Sequence, residues 1–456
     1  MNKYIYIYYE FYKREFLSNL LLSIIAANKD FKIYIGSNKV FNLLHEKKLI
    51  SPGIFHTKSL THDIEKTNFH KELKKNNFLI TSIDQEHGVI DEGNFDELFI
   101  KPRVEKNDLN LCDAYFCWGK YDYKHMKNKF KKKIFFISGS PRVDLWKKKF
   151  DMFWKKNIID KNYVLFVSNF NYPNNVYSYK ELIRRREKAN YYKRAPNIRK
   201  QEIKFLRYQL KSMKKFTHLI KKFSKEFSNE VIFVRPHPTE NVKYWTDKFK
   251  DQKNVIVKSE GDLSTYIRNA KLVVQDGCTS AMESYISNVP IINYVPIKSI
   301  KHPFGQFIKK ISINVYNETS FFKLFKSKKF IILKNKKNLV NNRMLYTDKK
   351  LSCSKIVEIW NKIYKNKSYF IKNNNLKIFI YLFFIQNLNS IITTLILFFK
   401  RKMFLKKIID HKNQKLDLDE INKNISKLMS SLNLKNNLSI SKLGKDIIFI
   451  SSKNKS

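Results

Sequence analysis

Cysteine is scarce: Cys112, Cys117, Cys278 and Cys353 are the only four in 456 residues, with no CxxC pair and no histidines beside them at metal-ligand spacing. The pattern offers neither a disulfide framework nor a zinc module, and it fits a reducing compartment. The N-terminal stretch MNKYIYIYYEFYKREF lacks the uninterrupted apolar core and small-residue cleavage site of a secretion signal, so a cytoplasmic location is expected. There is no tandem repeat, and no RNP-like, zinc-finger or helix-turn-helix pattern. Acidic residues are few, 40 against 89 Lys and Arg, for a formal charge of +49. Lysine, asparagine and isoleucine recur throughout, inside apparent helices and strands alike, so the excess reads as compositional bias and not as a basic stripe. Nucleic acid is therefore not an expected partner, while anionic ligands and anionic lipid are favoured.

What is present is enough apolar material to fold. Hydrophobic residues make up 43% and aromatics 15%, and the length calls for two globular units with some chain left over. Strand-like runs at 3–9 (KYIYIYY), 31–37 (FKIYIGS), 77–84 (NFLITSID), 114–119 (AYFCWG) and 133–140 (KIFFISGS) alternate with helical spacing, beginning with FLSNLLLSIIAANK. A new strand signal, YVLFVSNFN, opens at 163 after a lysine-rich connector, and short strands follow at 231, 254, 271 and 289. The polar stretch 177–200 reads as an insertion or irregular loop, followed by a long amphipathic helix and later by helices LSTYIRNA and TSAMESYISN. This alternation predicts an α/β chain: two Rossmann-like doubly wound domains facing a cleft, at 1–158 and 159–345, plus a helical, partly apolar, lysine-rich C-terminal region at 346–456.

Candidate site residues fall where such strands end. In VIFVRPHPTE, Pro236 and Pro238 hold an extended turn that presents Arg235 and His237 beyond a strand's carboxyl end, ready for a phosphate. In VVQDGCTSAMESY, Gly277 permits a tight turn, and Thr279 and Ser280 open a helix whose N–H groups face the same edge. Ser280 and Glu283 also match an S-x-x-E capping box, so Glu283 is either a cap partner or a ribose contact. In SIDQEHG, Asp84, Glu86 and His87 are candidate proton carriers, with a second acidic group, DEG, at 91–93. In SGSPRVD, Arg142 is available to an anion, while Pro141 and Asp144 suit a structural turn. No metal site is read: the D-x-D at Asp417 and Asp419 has no strand before it.

Taken in order, FCWG (116–119), SGSPRVDL (138–145), RPHP (235–238) and DGCTSAMESYISNVPIINY (276–294) resemble the motifs of the bacterial surface carbohydrate biosynthesis proteins, a family of GT-B-type sugar transferases. KREF at 13–16 and SIDQEHG sit where that family has an Arg-Glu pair and an acidic motif, and the likeness spans roughly residues 1–310. The HP pair and the hydroxyl pair are also similar to those of bacterial sialyltransferases and CDP-glycerol glycerophosphotransferases. The resemblance implies a metal-independent transfer without cofactor, from a CMP-, CDP- or UDP-linked sugar to a glycan or lipid-linked acceptor. It further implies His237, Thr279 and Ser280 on the donor phosphate and Asp84 or Glu86 as base. Gln85 and His87 depart from a simple acidic run and leave the base open. Two rival readings remain, a UDP-sugar 2-epimerase and a non-catalytic scaffold of a polymer-assembly complex.

Residues 376–399 are long enough to span a bilayer, but Gln386, Asn387, Asn389 and Ser390 interrupt them. Short amphipathic helices in the interface, anchored by Lys400, Arg401, Lys402, Lys406 and Lys407, fit best, ahead of core packing and of a span. Peripheral association with the inner membrane is the corresponding expectation.

Overall fold

The computed structural model describes residues 3–10, 12–86, 95–154, 162–188, 191–194, 196–297, 305–365, 374–386, 416–435 and 437–453. The strands in chain order are β1 (Lys3–Tyr9), β2 (Phe31–Ser37), β3 (Ile54–Thr57), β4 (Leu79–Ile83), β5 (Ala114–Cys117) and β6 (Phe135–Ile137). They continue as β7 (Tyr163–Val167), β8 (Ile232–Arg235), β9 (Val255–Val257), β10 (Ala270–Gln275), β11 (Ile291–Tyr294) and β12 (Ile313–Val315), and end in β13 (Leu438–Gly444) and β14 (Ile447–Ser452). The chain divides into two compact units, one of residues 1–86, 104–145 and 347–456, the other of 87–103 and 146–346.

In the first unit the sheet order is β13-β14-β2-β1-β3-β4-β5-β6. β1 to β6 pair in parallel, β14 adds antiparallel to β2 with Tyr34 opposite Phe449, and β13 forms the edge antiparallel to β14. Alternation along β1 sends Tyr4 and Tyr6 to one face, where they meet Tyr34, Phe41, Phe55 and Phe78. The helix Ser352–Lys365 carries Trp360, whose indole N–H donates to Thr81 Oγ1 at 3.1 Å. Asp144 receives the Ser352 hydroxyl and the Cys353 N–H at that helix start, which gives it the structural role expected for it. Among the described residues the C-terminal region is helical at 352–365, 375–386 and 418–432, and it ends in an unanticipated hairpin that extends the N-terminal sheet. Asp417 caps the helix Leu418–Leu432 by accepting the Asp419 N–H, which accounts for one carboxylate of the D-x-D.

The second unit has the order β12-β11-β10-β7-β8-β9, all parallel. The helix Pro196–Glu226 covers one face, with Phe216, Leu219, Ile220 and Phe223 against Val164, Phe166, Val234 and Val274. Tyr266, Ile267 and Val289 cover the other.

Where the structure departs from expectation, the reasons are local. Residues 179–188 and 191–194 are helical, not an irregular insertion. Glu181 pairs with Arg184 and Arg185, and Arg185 stacks over the Tyr177 ring at 4.0 Å, which supports a helix that buries nothing. β3 and β12, of four and three residues, were not anticipated, being too short to show a period. Residues 374–386 form a helical segment, and the rest of the apolar stretch lies outside the described residues. Among the described residues no helix is long and apolar enough to cross a membrane.

Candidate functional site

In open parallel sheets, ligands bind beyond the carboxyl ends of the strands where the strand order reverses. In the first unit that reversal lies between β1 and β3. Glu10 follows β1, Arg14 and Glu15 open the helix Tyr12–Ala27, Lys58 follows β3 and Glu86 follows β4. These five side chains form one ionic cluster. Arg14 Nη2 donates to Glu86 Oε1 at 2.5 Å and to Glu15 Oε1 at 3.1 Å. Lys58 Nζ contacts Glu10, Glu15 (3.5 Å) and Glu86 (3.4 Å). Burial works against both cations, yet the carboxylates outweigh it and hold Arg14 and Lys58 above their usual pKa values. Glu15 is fully buried and also accepts the Glu10 backbone N–H at 2.7 Å, whereas 29% of the Glu86 side chain remains exposed.

Of the candidate proton carriers, Asp84 is buried; its Oδ1 accepts the Glu86 N–H, and its carbonyl accepts the Trp118 indole N–H at 2.8 Å. That environment makes Asp84 a turn-forming residue and leaves Glu86 as the accessible carboxylate. Gln85, which breaks the acidic run, turns inward to Ser18 and Asn19. His87 and the acidic group at 91–93 lie outside the described residues. Lys58 escaped the sequence reading because β3 did; the strand that delivers it was unrecognised.

In the second unit the reversal falls between β7 and β10. Gly277, at φ +60°, makes the expected tight turn after β10. Its N–H donates to Asn293 Oδ1 at 3.0 Å, and the Cys278 N–H donates to Gln275 Oε1 at 2.6 Å, so these two donors are engaged within the protein. The hydroxyl pair divides: Thr279 is half-buried, while Ser280 is buried beside the Cys278 thiol. Just before the turn, Asp276 accepts from Tyr208 at 2.6 Å and from Ser212 at 2.5 Å, and burial lifts its carboxyl to about 6. Tyr208 and Ser212 come from the long helix, some 65 residues upstream, and no motif announced them.

Three candidate residues are engaged or buried within the second unit. Arg235 turns its guanidinium inward. It donates to the carbonyls of Lys258 (3.2 Å), Glu260 and Gly261 and lies 5.0 Å from the centre of the Tyr266 ring. It therefore braces the chain after β9 against β8, and its pKa is lowered chiefly by burial. Glu283 accepts the Ser264 hydroxyl within the unit, faces Arg268 and is buried, so it is neither an exposed ribose contact nor a cap partner. The capping box does not form: Thr279 is the N-cap, in helical backbone, without a side-chain cap bond. Ser280 is buried at the start of that helix.

His237 is half-buried beyond β8. Its Nδ1 receives the Thr239 N–H at 3.3 Å and lies 2.8 Å from the Thr239 hydroxyl, an arrangement that puts the ring proton on Nε2. Glu240 ends the same turn and was not singled out by sequence. It is buried and accepts from Ser168, Asn174, the Phe170 N–H (2.7 Å) and the Trp245 indole N–H (2.7 Å). Arg142 is half-buried after Ser140, whose hydroxyl caps the turn by accepting the Arg142 N–H at 3.3 Å.

Two Rossmann-like parallel sheets in series define a GT-B-type α/β protein. Among solved structures, a UDP-N-acetylglucosamine 2-epimerase matches with a TM-score of 0.50 at 10% identity, over 82% of this chain and 100% of that one. The Methanocaldococcus jannaschii UDP-GlcNAc 2-epimerase in complex with UDP-GlcNAc and UDP is similar at 0.47 and 15% identity, over 79% and 100%. The wall teichoic acid polymerase TagF soaked with CDPG is similar at 0.49 and 11%, over 80% and 89%. At these identities the likeness concerns the fold alone. No family model matches the chain, and no curated protein matches it in sequence.

Proposed function

We propose that the protein is a glycosyltransferase of surface polysaccharide biosynthesis, moving a sugar from a CMP-, CDP- or UDP-linked donor to a glycan or lipid-linked acceptor. The observation that carries this reading is Glu86, a partly exposed carboxylate at the carboxyl edge of the first sheet, held by Arg14 and Lys58. The two cations orient it, and a carboxylate so held is suited to accept a proton from an acceptor hydroxyl. In the second unit, His237 with its proton on Nε2, together with the Thr279 hydroxyl, supplies donors suited to a phosphate.

In this reading the acceptor hydroxyl oxygen forms a bond to the anomeric carbon as the carbon–oxygen bond to the donor phosphate breaks. The electron pair leaves with the donor phosphate, and the hydroxyl proton passes to Glu86. Arg142 serves as a secondary anion contact.

The test is binding and turnover with the purified chain. Thermal-shift measurements against CMP, CDP, UMP, UDP and GDP, with and without magnesium, identify the nucleotide. His237→Ala then weakens that nucleotide, while Glu86→Gln keeps its affinity and lowers transfer by about 10²–10⁴-fold. Reversible conversion of a UDP-sugar without acceptor would replace this reading with the epimerase, and no binding of any nucleotide would replace it with the scaffold.

A further inference from the structure

The helical segment 374–386 has two apolar faces, and the fold uses one. Ile378 and Leu382 are fully buried in the first unit's core with Tyr34, Val40, Phe41 and Leu44. Hydrogen bonds fix the segment at both ends. Asn374 donates to the Leu49 carbonyl at 3.1 Å and Tyr34 to Asn375 Oδ1 at 2.6 Å, while the Lys445 N–H donates to Gln386 Oε1 at 2.7 Å and Gln386 Nε2 to Asp446 at 3.0 Å. On the other side Leu376, Phe379, Ile380, Phe383 and Phe384 are between 45% and 71% exposed. Their spacing, i, i+3, i+4, i+7 and i+8, makes one stripe. The rings of Phe379 and Phe383 stack at 6.2 Å, and Phe384 meets Phe383 edge-on at 5.8 Å. Among the described residues, five of the fourteen exposed large hydrophobics lie on this short segment and the other nine are scattered, so it is a patch and not the usual background.

Lysines lie on the segment and near both of its anchored ends. Lys377 is exposed on the segment itself, and Lys47 and Lys48 are exposed beside Leu49, at one end. Lys445 lies at the other end, and Lys39 is exposed and close enough to Asp446 to act on its titration. Glu46 is the exposed acid nearby in sequence. An ordered apolar stripe with cations on its segment and near both ends matches the boundary of an anionic bilayer, with rings among the acyl chains and ammonium groups at the headgroups. Against a second copy of itself the same face would set lysines against lysines.

We propose that this face docks the first unit onto an anionic lipid surface, with the segment lying in the plane of the interface. Its inner face, with Ile378 and Leu382, belongs to the protein, so the segment lies against a bilayer surface. The inference deepens the expected membrane partner and is independent of the transferase reading, since it needs neither donor nor catalytic residue.

Co-sedimentation of the full chain tests it, with vesicles of phosphatidylcholine alone and with about one third phosphatidylglycerol, at low and high salt. Expected are binding to the anionic vesicles, weakened by salt, and a loss of more than about tenfold in partitioning for the combined Phe379→Ser, Phe383→Ser and Phe384→Ser variant at unchanged circular dichroism. A single Phe384→Trp variant avoids any folding defect. All five native tryptophans are buried, so the added exposed indole shifts its emission to the blue on insertion. Wild-type protein that ignores both vesicles, an unshifted indole, or a triple variant that still sediments overturns the proposal. A wild-type dimer that the triple variant converts to monomer with vesicle binding intact also overturns it, in favour of a second copy.

Discussion

Replacing Glu240 by glutamine keeps the side chain's volume and removes its charge at the end of the RPHPTE turn. Oε1 accepts the Phe170 N–H at 2.7 Å, while Oε2 accepts the Trp245 indole N–H at 2.7 Å, Asn174 Nδ2 at 3.3 Å and the Ser168 hydroxyl at 2.9 Å. In the variant the amide oxygen stays with Phe170, and Ser168 turns to accept from the new NH₂ group. The Trp245 and Asn174 donors then face another donor. A buried donor without a partner costs about 1–3 kcal/mol, so the pair amounts to roughly 2–6 kcal/mol. Burial already raises the pKa of Glu240, so removing the charge offsets part of the loss, leaving about 1–4 kcal/mol. Trp245→Phe keeps most of the packing and deletes one of the stranded donors. In that background Glu240→Gln costs about 1–2 kcal/mol less than it does alone. Guanidinium unfolding of the full chain, followed by circular dichroism and by calorimetry to resolve the two units, measures the cycle. Glutamine within about 0.5 kcal/mol of wild type, or additivity of the two substitutions, would refute the reasoning.

Arg235→Lys loses the fork that holds three carbonyls, and destabilises the protein by about 2–3 kcal/mol, with nucleotide affinity unchanged where the variant is folded. Weakened nucleotide binding at full stability would return Arg235 to the ligand. Lys66 is buried, donates to the Ser59 carbonyl and hydroxyl, and is lowered to about 8 by burial. Between pH 8 and its unfolded value near 10.5 the unfolded chain holds the extra proton, so stability rises with pH by about 3 kcal/mol. Lys66→Met lacks that rise, as the difference between two stability–pH curves reads directly. Asp276 behaves oppositely: its folded value of about 6 exceeds 3.8, so stability falls by about 3 kcal/mol as pH climbs through that window. Asp276→Asn removes the fall, and identical slopes for both proteins would show that the carboxyl titrates normally.

The strand–helix alternation was legible because it is written locally. KYIYIYY, FKIYIGS, YVLFV and KLVV are β-branched or aromatic runs long enough to show their character, and each became a strand. β3 was not legible, since IFHT is four residues with a histidine inside it, and with β3 went Lys58. The helix at 179–188 was misread for a related reason: its support comes from ion pairs and a cation–π contact, not from an apolar stripe.

The sequence by itself determined that the chain alternates into parallel sheets and that its polar motifs follow strands, because periodicity, turn residues and helix starts depend on near neighbours. Which side chain of each motif looks outward was decided only by the tertiary structure. Arg235 turns inward to carbonyls 23 to 26 residues away, Glu283 turns to Ser264 19 residues before it, and Asp276 meets Tyr208 across 68. Glu86 is joined to Arg14 across 72 residues, and Asp446 in the C-terminal hairpin to Ser37 across 409. Partners at such separations leave no pattern in a local window, because the sheet that brings them together is assembled only when the whole chain has folded.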